Sequence, residues 1–256
     1  MRLFEFESIE IFKAEGIPMP RAEVVSSAEE ARRTALSLGM PVILKAQVLI
    51  GGRAKAGGIL VAEDPKEVAR AAQEILEMQM TGLKVDKLLV EEYLPVAREL
   101  FISVTIDDSK GKFVILASSH GGIEIEEIAS KFPEKIVSVE NDPLLEFEQY
   151  KARQIAKQIG LRGDLVPKVS DILWLLYRLF VKYDATTAEI NPLIITKTND
   201  VCAAGTVLTI DDDALDRHKE LPIKVEERIQ DDIEREAAKL GIPYVRLDGN
   251  IGVIGS

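Results

Sequence analysis

The sequence predicts a mixed α/β protein with long antiparallel-type strands, and three observations carry that expectation. Short β-branched runs such as Val42–Val48 alternate with amphipathic helical stretches. Two longer strand patterns, 99–106 and 112–117, are joined by the polar turn Asp107-Asp108-Ser109-Lys110-Gly111. The runs 187–190, 193–196 and 200–210 read as strands broken by turns, which is not the regular alternation of a βαβ array.

The N-terminal elements follow in order. Residues 4–15 place Phe4, Ile9, Ile11 and Phe12 mostly on one helical face and stop at Gly16. Ile17-Pro18-Met19-Pro20 is a connector, because each proline removes a donor and restricts the residue before it. Ser26 or Ser27 caps a helix over 28–38, with Glu29 and Glu30 at its positive end and Gly39 after it. A strand over 42–48 carries Lys45 in mid-run, a flexible glycine-rich loop spans 51–58, and a second apolar run covers 59–61. Pro65 opens a helix to about Met80, and 88–92 is a strand.

Further on, helices are expected at 123–129, 144–159 and 167–182, the last being the most apolar and so buried. Residues 224–240 read as a charged surface helix, and 244–256 as the opening strand of another α/β domain.

Composition narrows the function classes. The chain has 256 residues and 28.3 kDa, enough for one large domain or two modest ones. With 46% hydrophobic and 29% charged residues it is globular in composition. Its 32 basic against 43 acidic residues give a net charge of −11, which lacks the basic footprint of a nucleic-acid binder. An anionic ligand must therefore be held by local donors. A single cysteine, Cys202, fits a reducing cytoplasm. The acidic start MRLFEFESIEIF is not a signal peptide, and no apolar run is long enough to span a bilayer.

Three clusters could carry chemistry. A lysine within an apolar strand is costly to bury without an anionic partner, and Gly51, Gly52, Gly57 and Gly58 with Arg53 and Lys55 could supply a phosphate cradle beside Lys45. The alternative is a solvated hairpin loop with Lys45 at a sheet rim. Glu91, Glu92 and Glu99 flank the crossover Tyr93-Leu94-Pro95, a natural hinge between two lobes. They could accept hydrogen bonds from a nucleotide or be solvated charges at strand ends. Glu189 and Asn191 share one face of a strand and offer oxygens of the kind Mg²⁺ takes; the alternative is a polar strand exit. His120, in a loop, and His218 are the only histidines, and Asp211–Asp213 suits a helix N-terminus.

KAQVxxGGRxKAGG, VEE…ARELFIS, SxxGGIEIE, AEINPLIITK and LDGNIGVIGS occur in the order and spacing of the succinyl-CoA synthetase β subunit, which the chain resembles from end to end. The resemblance implies an ATP-grasp fold, two α/β lobes with mixed or antiparallel sheets clasping a nucleotide. It divides the chain into an N-terminal segment 1–20, a small lobe 21–94, a large lobe 95–228, and the start of a C-terminal CoA-ligase-type domain at 229–256. Because the chain stops inside that domain's opening motif, it reads as a nucleotide-binding portion, inactive in isolation.

The resemblance also implies roles. Lys45 contacts nucleotide phosphates, and Gly52-Arg53-Ala54 folds over them. Glu91 and the backbone of Leu94 hold the base, Glu99 the ribose, and Pro20 leans towards ATP over GTP. Asn191 is one of two Mg²⁺ ligands, and Glu189 steadies a phosphohistidine carried by the partner α subunit. The second Mg²⁺ ligand, an Asp in the family, falls on Gly205, with Asp211 a possible substitute. The implied reaction joins succinate to CoA at the expense of a nucleoside triphosphate. Malate–CoA ligation, a citrate-cleaving relative and a non-catalytic nucleotide-binding module are the alternatives. Lys45→Ala is expected to cost turnover while leaving the fold intact.

Overall fold

The computed structural model describes residues 1–221, 228–229, 231–242, 244–247 and 249–255. The chain begins α1 (Glu5–Ala14), β1 (Ala22–Val25), α2 (Ala28–Leu38), β2 (Val42–Ala46), β3 (Ile59–Ala62) and α3 (Pro65–Leu76). A small hairpin, β4 (Gln79–Met80) and β5 (Leu83–Lys84), leads to β6 (Leu88–Glu92). Then come β7 (Val96–Asp107), β8 (Lys112–Ser118), α4 (Ile125–Lys131), β9 (Ile136–Asn141), α5 (Gln149–Gln158) and α6 (Leu165–Lys182). β10 (Ala185–Thr196), β11 (Val201–Ala203) and β12 (Thr206–Ile210) follow. Residues Met1–Ala214 form one compact unit; Leu215–Ser256 form a second, which contains α7 (Asp232–Lys239).

Local chemistry sets the helix starts. Ser27 Oγ accepts from the Glu30 N–H at 3.2 Å, and Asp64 Oδ1 accepts from Lys66 and Glu67 at 2.7 and 3.0 Å with Pro65 opening α3.

The first sheet runs β1-β6-β2-β3, with every neighbour antiparallel. Period two sorts its faces. Val42, Leu44, Ala46, Leu88 and Val90 join a core with Ala31 and Ala35 of α2 and Val68, Ala72 and Ile75 of α3. Ile43, Lys45 and Glu91 are left on the opposite face. The second sheet runs β11-β10-β7-β8-β9, with β12 also paired to β10, again antiparallel throughout. Beneath it α6 buries Val169, Ile172, Leu173, Leu176 and Phe180, as its apolar pattern requires. The link 93–95 carries the chain from the first sheet to the second.

Several elements depart from the sequence expectation. β10 is continuous where two strands were expected. It runs through a cis Asn191–Pro192 bond and one extra residue against β7, with Ile190 opposite Ile102 and Leu193 opposite Leu100. β1 and β9 escaped the sequence reading, and 144–148 is not helical, leaving Leu144 93% exposed. The helix expected to reach Met80 ends at Leu76, because the chain turns into β4. Residues 244–247 and 249–255 form no strand. Of the helix expected at 224–240, residues 224–227 and 230 lie outside the described residues, and the helix described is Asp232–Lys239. Among the described residues no helix is long and apolar enough to cross a membrane.

Candidate active site

A cleft of about 410 Å³ lies within the first unit, between the two sheets. Its lining includes Lys45, Arg53, Glu91, Glu92, Leu94, Glu99, Asn191 and Gly205, all singled out in the sequence. Lys45 is no rim lysine: it is 4% exposed, and Glu91 is 1% exposed. Lys45 pairs in register with Leu89 and Ile43 with Glu91, so Lys45 and Glu91 are diagonal neighbours on one face. The Lys45 Nζ donates to both Glu91 oxygens at 2.8 Å and to the Ala204 carbonyl, which ties the first sheet to the turn between β11 and β12.

A fourth charge completes the cluster. Glu5 opens α1, is 5% exposed, lies 3.4 Å from Lys45 Nζ and 2.8 Å from an Arg53 nitrogen. Sequence reading passed over Glu5 as the first turn of an amphipathic helix. The available signal was the pair of cations, Lys45 and Arg53, each needing a counter-charge once buried. Burial opposes the charge of Glu5, yet Lys45 and Arg53 hold its carboxyl below the usual range. Burial likewise opposes the charge of Lys45, and Glu5 with Glu91 outweighs it, raising the ammonium's pKa. For Glu91 burial wins and pushes its pKa up to about 7, against the pull of Lys45.

The sign of the pH dependence follows. A carboxyl whose folded pKa lies above its unfolded value contributes stability below the unfolded value and loses it as pH rises through the folded one. Glu91 spans the ordinary 4.5 to about 7. Urea unfolding midpoints should therefore fall as pH rises across that interval, and Glu91→Gln should flatten the fall. A wild-type profile already flat there, or one unchanged in the variant, would exclude Glu91 as its source.

The glycine loop is more ordered than its composition suggests. The N–H groups of Ala56, Gly57 and Gly58 bond to Gly52, Ala54 and Arg53 carbonyls inside the loop, leaving those of Gly52, Arg53 and Ala54 outside this set. Lys55 reaches Glu124 at 3.0 Å and Glu127 at 2.8 Å, seating the loop on the start of α4. Gly52 and Ala54 flank Arg53 in sequence but do not line the cleft, and neither does Pro20, which is buried.

On the second sheet, Glu99 lines the cleft and burial raises its pKa. Asn191 Oδ1 accepts from the Gly122 N–H at 2.8 Å and its Nδ2 donates to the Ile123 carbonyl at 2.9 Å, so its amide clamps the 121–123 loop. Glu189 sits two residues back on β10; burial raises its pKa, against Asn191 and Arg2. His120 lies off the cleft lining, 3.2 Å from Ser119 Oγ and stacked on Phe132.

The residues present do not fit a Mg²⁺ ion held by two protein ligands. Asn191 offers one neutral oxygen that already accepts a hydrogen bond. At Gly205 a Cβ would lie 2.2 Å from the Asn191 carbonyl oxygen, so the backbone there leaves no room for a ligating side chain. Thr206 Oγ1 is buried without a partner, but Thr206 stands opposite Ile190, on the core face. Asp211 cannot substitute. Its N–H bonds to the Asp184 carbonyl at the far end of β10, roughly 20 Å from Asn191 at the rise of a strand. Among the described residues no group of three or more His, Cys, Asp or Glu side chains could hold a metal.

Two antiparallel sheets facing a cleft with a buried lysine define the class: the sequence matches the ATP-grasp domain over residues 2–195. The chain is 44% identical over all its residues to the succinate–CoA ligase [ADP-forming] β subunit of Methanothermobacter thermautotrophicus, covering 67% of that protein. It is 41% identical to the [GDP-forming] β subunit of Thermus thermophilus, covering 68%. This chain belongs to the succinate–CoA ligase β-subunit family. Among solved structures, the dinucleotide-forming acetyl-coenzyme A synthetase 1 of Korarchaeum cryptofilum superposes with a TM-score of 0.69 at 21% identity, over 82% of this chain and 93% of that one. The ATP citrate lyase of Methanothrix soehngenii gives 0.71 at 17% identity, over 93% and 59%. These two likenesses speak for the fold alone.

Proposed function

We propose that this chain is the nucleotide-binding β subunit of an acid–CoA ligase that converts succinate, CoA and ATP to succinyl-CoA, ADP and phosphate. A phosphohistidine on an α-subunit partner is the intermediate. The observation that carries the reading is the cluster of buried Lys45, Glu91 and Glu5 with half-buried Arg53 in the cleft of a chain 44% identical to such a subunit.

The residues divide the work. Lys45 and Arg53 meet the phosphates, joined by backbone N–H groups of Gly52 and Ala54, where fixed donors stabilise the charge of phosphoryl transfer. A phosphate reaching Lys45 competes with Glu91, the carboxyl that burial already drives towards neutrality. Glu91 and the Leu94 backbone take the base, Glu99 the ribose, and Glu189 the imidazolium side of the incoming phosphohistidine. Mg²⁺ in this reading arrives with the nucleotide, held chiefly by its phosphates, since Asn191 offers one neutral oxygen. Pro20 favours adenine over guanine without touching the cleft.

Calorimetric titration of the chain with Mg²⁺–ATP, with Mg²⁺–GTP as competitor, tests this. The expected result is one site that prefers ATP and that Glu99→Ala weakens by about 10-fold, the worth of a charge-assisted hydrogen bond. Failure of both nucleotides to bind overturns the reading.

A further inference from the structure

We propose that Glu5 is a positioning residue: its buried carboxylate holds the Arg53 guanidinium and the Lys45 ammonium in the places from which they meet a polyphosphate. The proposal rests on the nucleotide reading of the cleft.

Arg53 belongs to a loop, and a loop side chain is free unless something fixes it. Two contacts do so: Glu5 at 2.8 Å and the Ala46 carbonyl at 2.9 Å. Glu5 is in turn fixed. Ile9, Ile11 and Phe12 bury the helix it opens, and Gln47 Nε2 lies 3.5 Å from its carboxylate. Gln47 Oε1 also accepts from the Phe6 N–H at 3.1 Å, which ties the residue after β2 to the first turn of α1.

Lys45 already has a carboxyl partner in Glu91 at 2.8 Å. Burying a second carboxylate is costly unless it is well paired. Its structural return is geometry: one carboxylate touches both cations and comes from an element outside either sheet. When a phosphate displaces Glu91, Glu5 and the Ala204 carbonyl remain to hold the ammonium where it is.

The test is a double-mutant cycle in the assembled ligase. Glu5→Gln is expected to lower kcat roughly 10- to 100-fold, the cost of a misplaced reacting group, with the KM for ATP little changed. Arg53→Ala should lose a comparable factor, and the double variant no more than about 2-fold beyond the worse single one, because the two act as a unit. Losses that multiply, or an unchanged kcat in Glu5→Gln, overturn the proposal.

Should Glu5→Gln fail to fold, Arg53→Lys replaces it. Lysine keeps the charge but loses the fork that Glu5 grips, so kcat should fall; normal turnover overturns the proposal. ATP titration of the wild-type chain separates the two claims. Absent binding removes the nucleotide reading and the Glu5 role together, whereas binding accompanied by multiplicative losses removes the Glu5 role alone.

Discussion

Replacing Lys45 by alanine in the assembled ligase is expected to lower nucleotide-dependent turnover by roughly 10²–10³-fold, the cost of losing one well-placed donor to a developing charge. Stability is expected to fall as well, where the sequence alone suggests a fold left intact. Lys45 is the cation for Glu91 and part of the cation field for Glu5, both buried. Breaking a buried pair from one side typically costs about 3–5 kcal/mol, because the remaining charge is stranded. The two effects separate in the double variant Lys45→Met with Glu91→Gln. It should recover much of the stability, since Glu5 keeps Arg53, and none of the turnover. Urea unfolding and steady-state rates, measured on the same preparations, read both. Full activity in Lys45→Ala would remove the residue from the mechanism.

Gly205→Ala should destabilise by about 3 kcal/mol, the upper part of the usual cost of overpacking. The added Cβ would stand 2.2 Å from the Asn191 carbonyl oxygen and 3.3 Å from Pro192 Cδ. The clash cannot be relieved by turning a side chain, because its main partner is backbone. Any shift passes to Asn191, whose N–H bonds to the Gly205 carbonyl and whose amide clamps Gly122 and Ile123. Turnover should fall along with stability. Aspartate carries the same Cβ, so a carboxylate placed here would distort the turn before it could ligate anything. An unaltered urea midpoint in Gly205→Ala would show that the turn yields freely.

Much of this was readable in advance, for reasons that differ by residue. Lys45 stood out because an ammonium in an apolar strand demands a partner. The lobe-to-lobe link at 93–95 stood out because proline interrupts a strand pattern. What the partner would be was not legible. Glu5 lies 40 residues upstream in a helix whose pattern was already accounted for. The contact of Lys45 with Glu91 depends on β6 lying between β1 and β2, a strand order that periodicity does not encode. β9 was missed because Ile136-Val137-Ser138-Val139 is short and follows a charged, proline-containing turn. β10 was split because Asn-Pro is ordinarily a turn signal, whereas here the strand absorbs it as a bulge. Gly205 was noticed as a missing ligand; that its own backbone forbids a side chain needed coordinates.

The balance of charge in the cleft has one more outcome. The Lys45 ammonium and the Arg53 guanidinium face two carboxyls, Glu5 held ionised and Glu91 pushed up to about 7, so the pocket keeps at most part of one positive charge uncompensated, on a chain of net charge −11. A small monoanion has little to gain there, because it can only replace an acid already in place. A string of phosphates can evict one carboxylate and still offer further oxygens to the loop amides. In the nucleotide reading, the site would thus select for length of the phosphate tail by exchange rather than by raw positive potential.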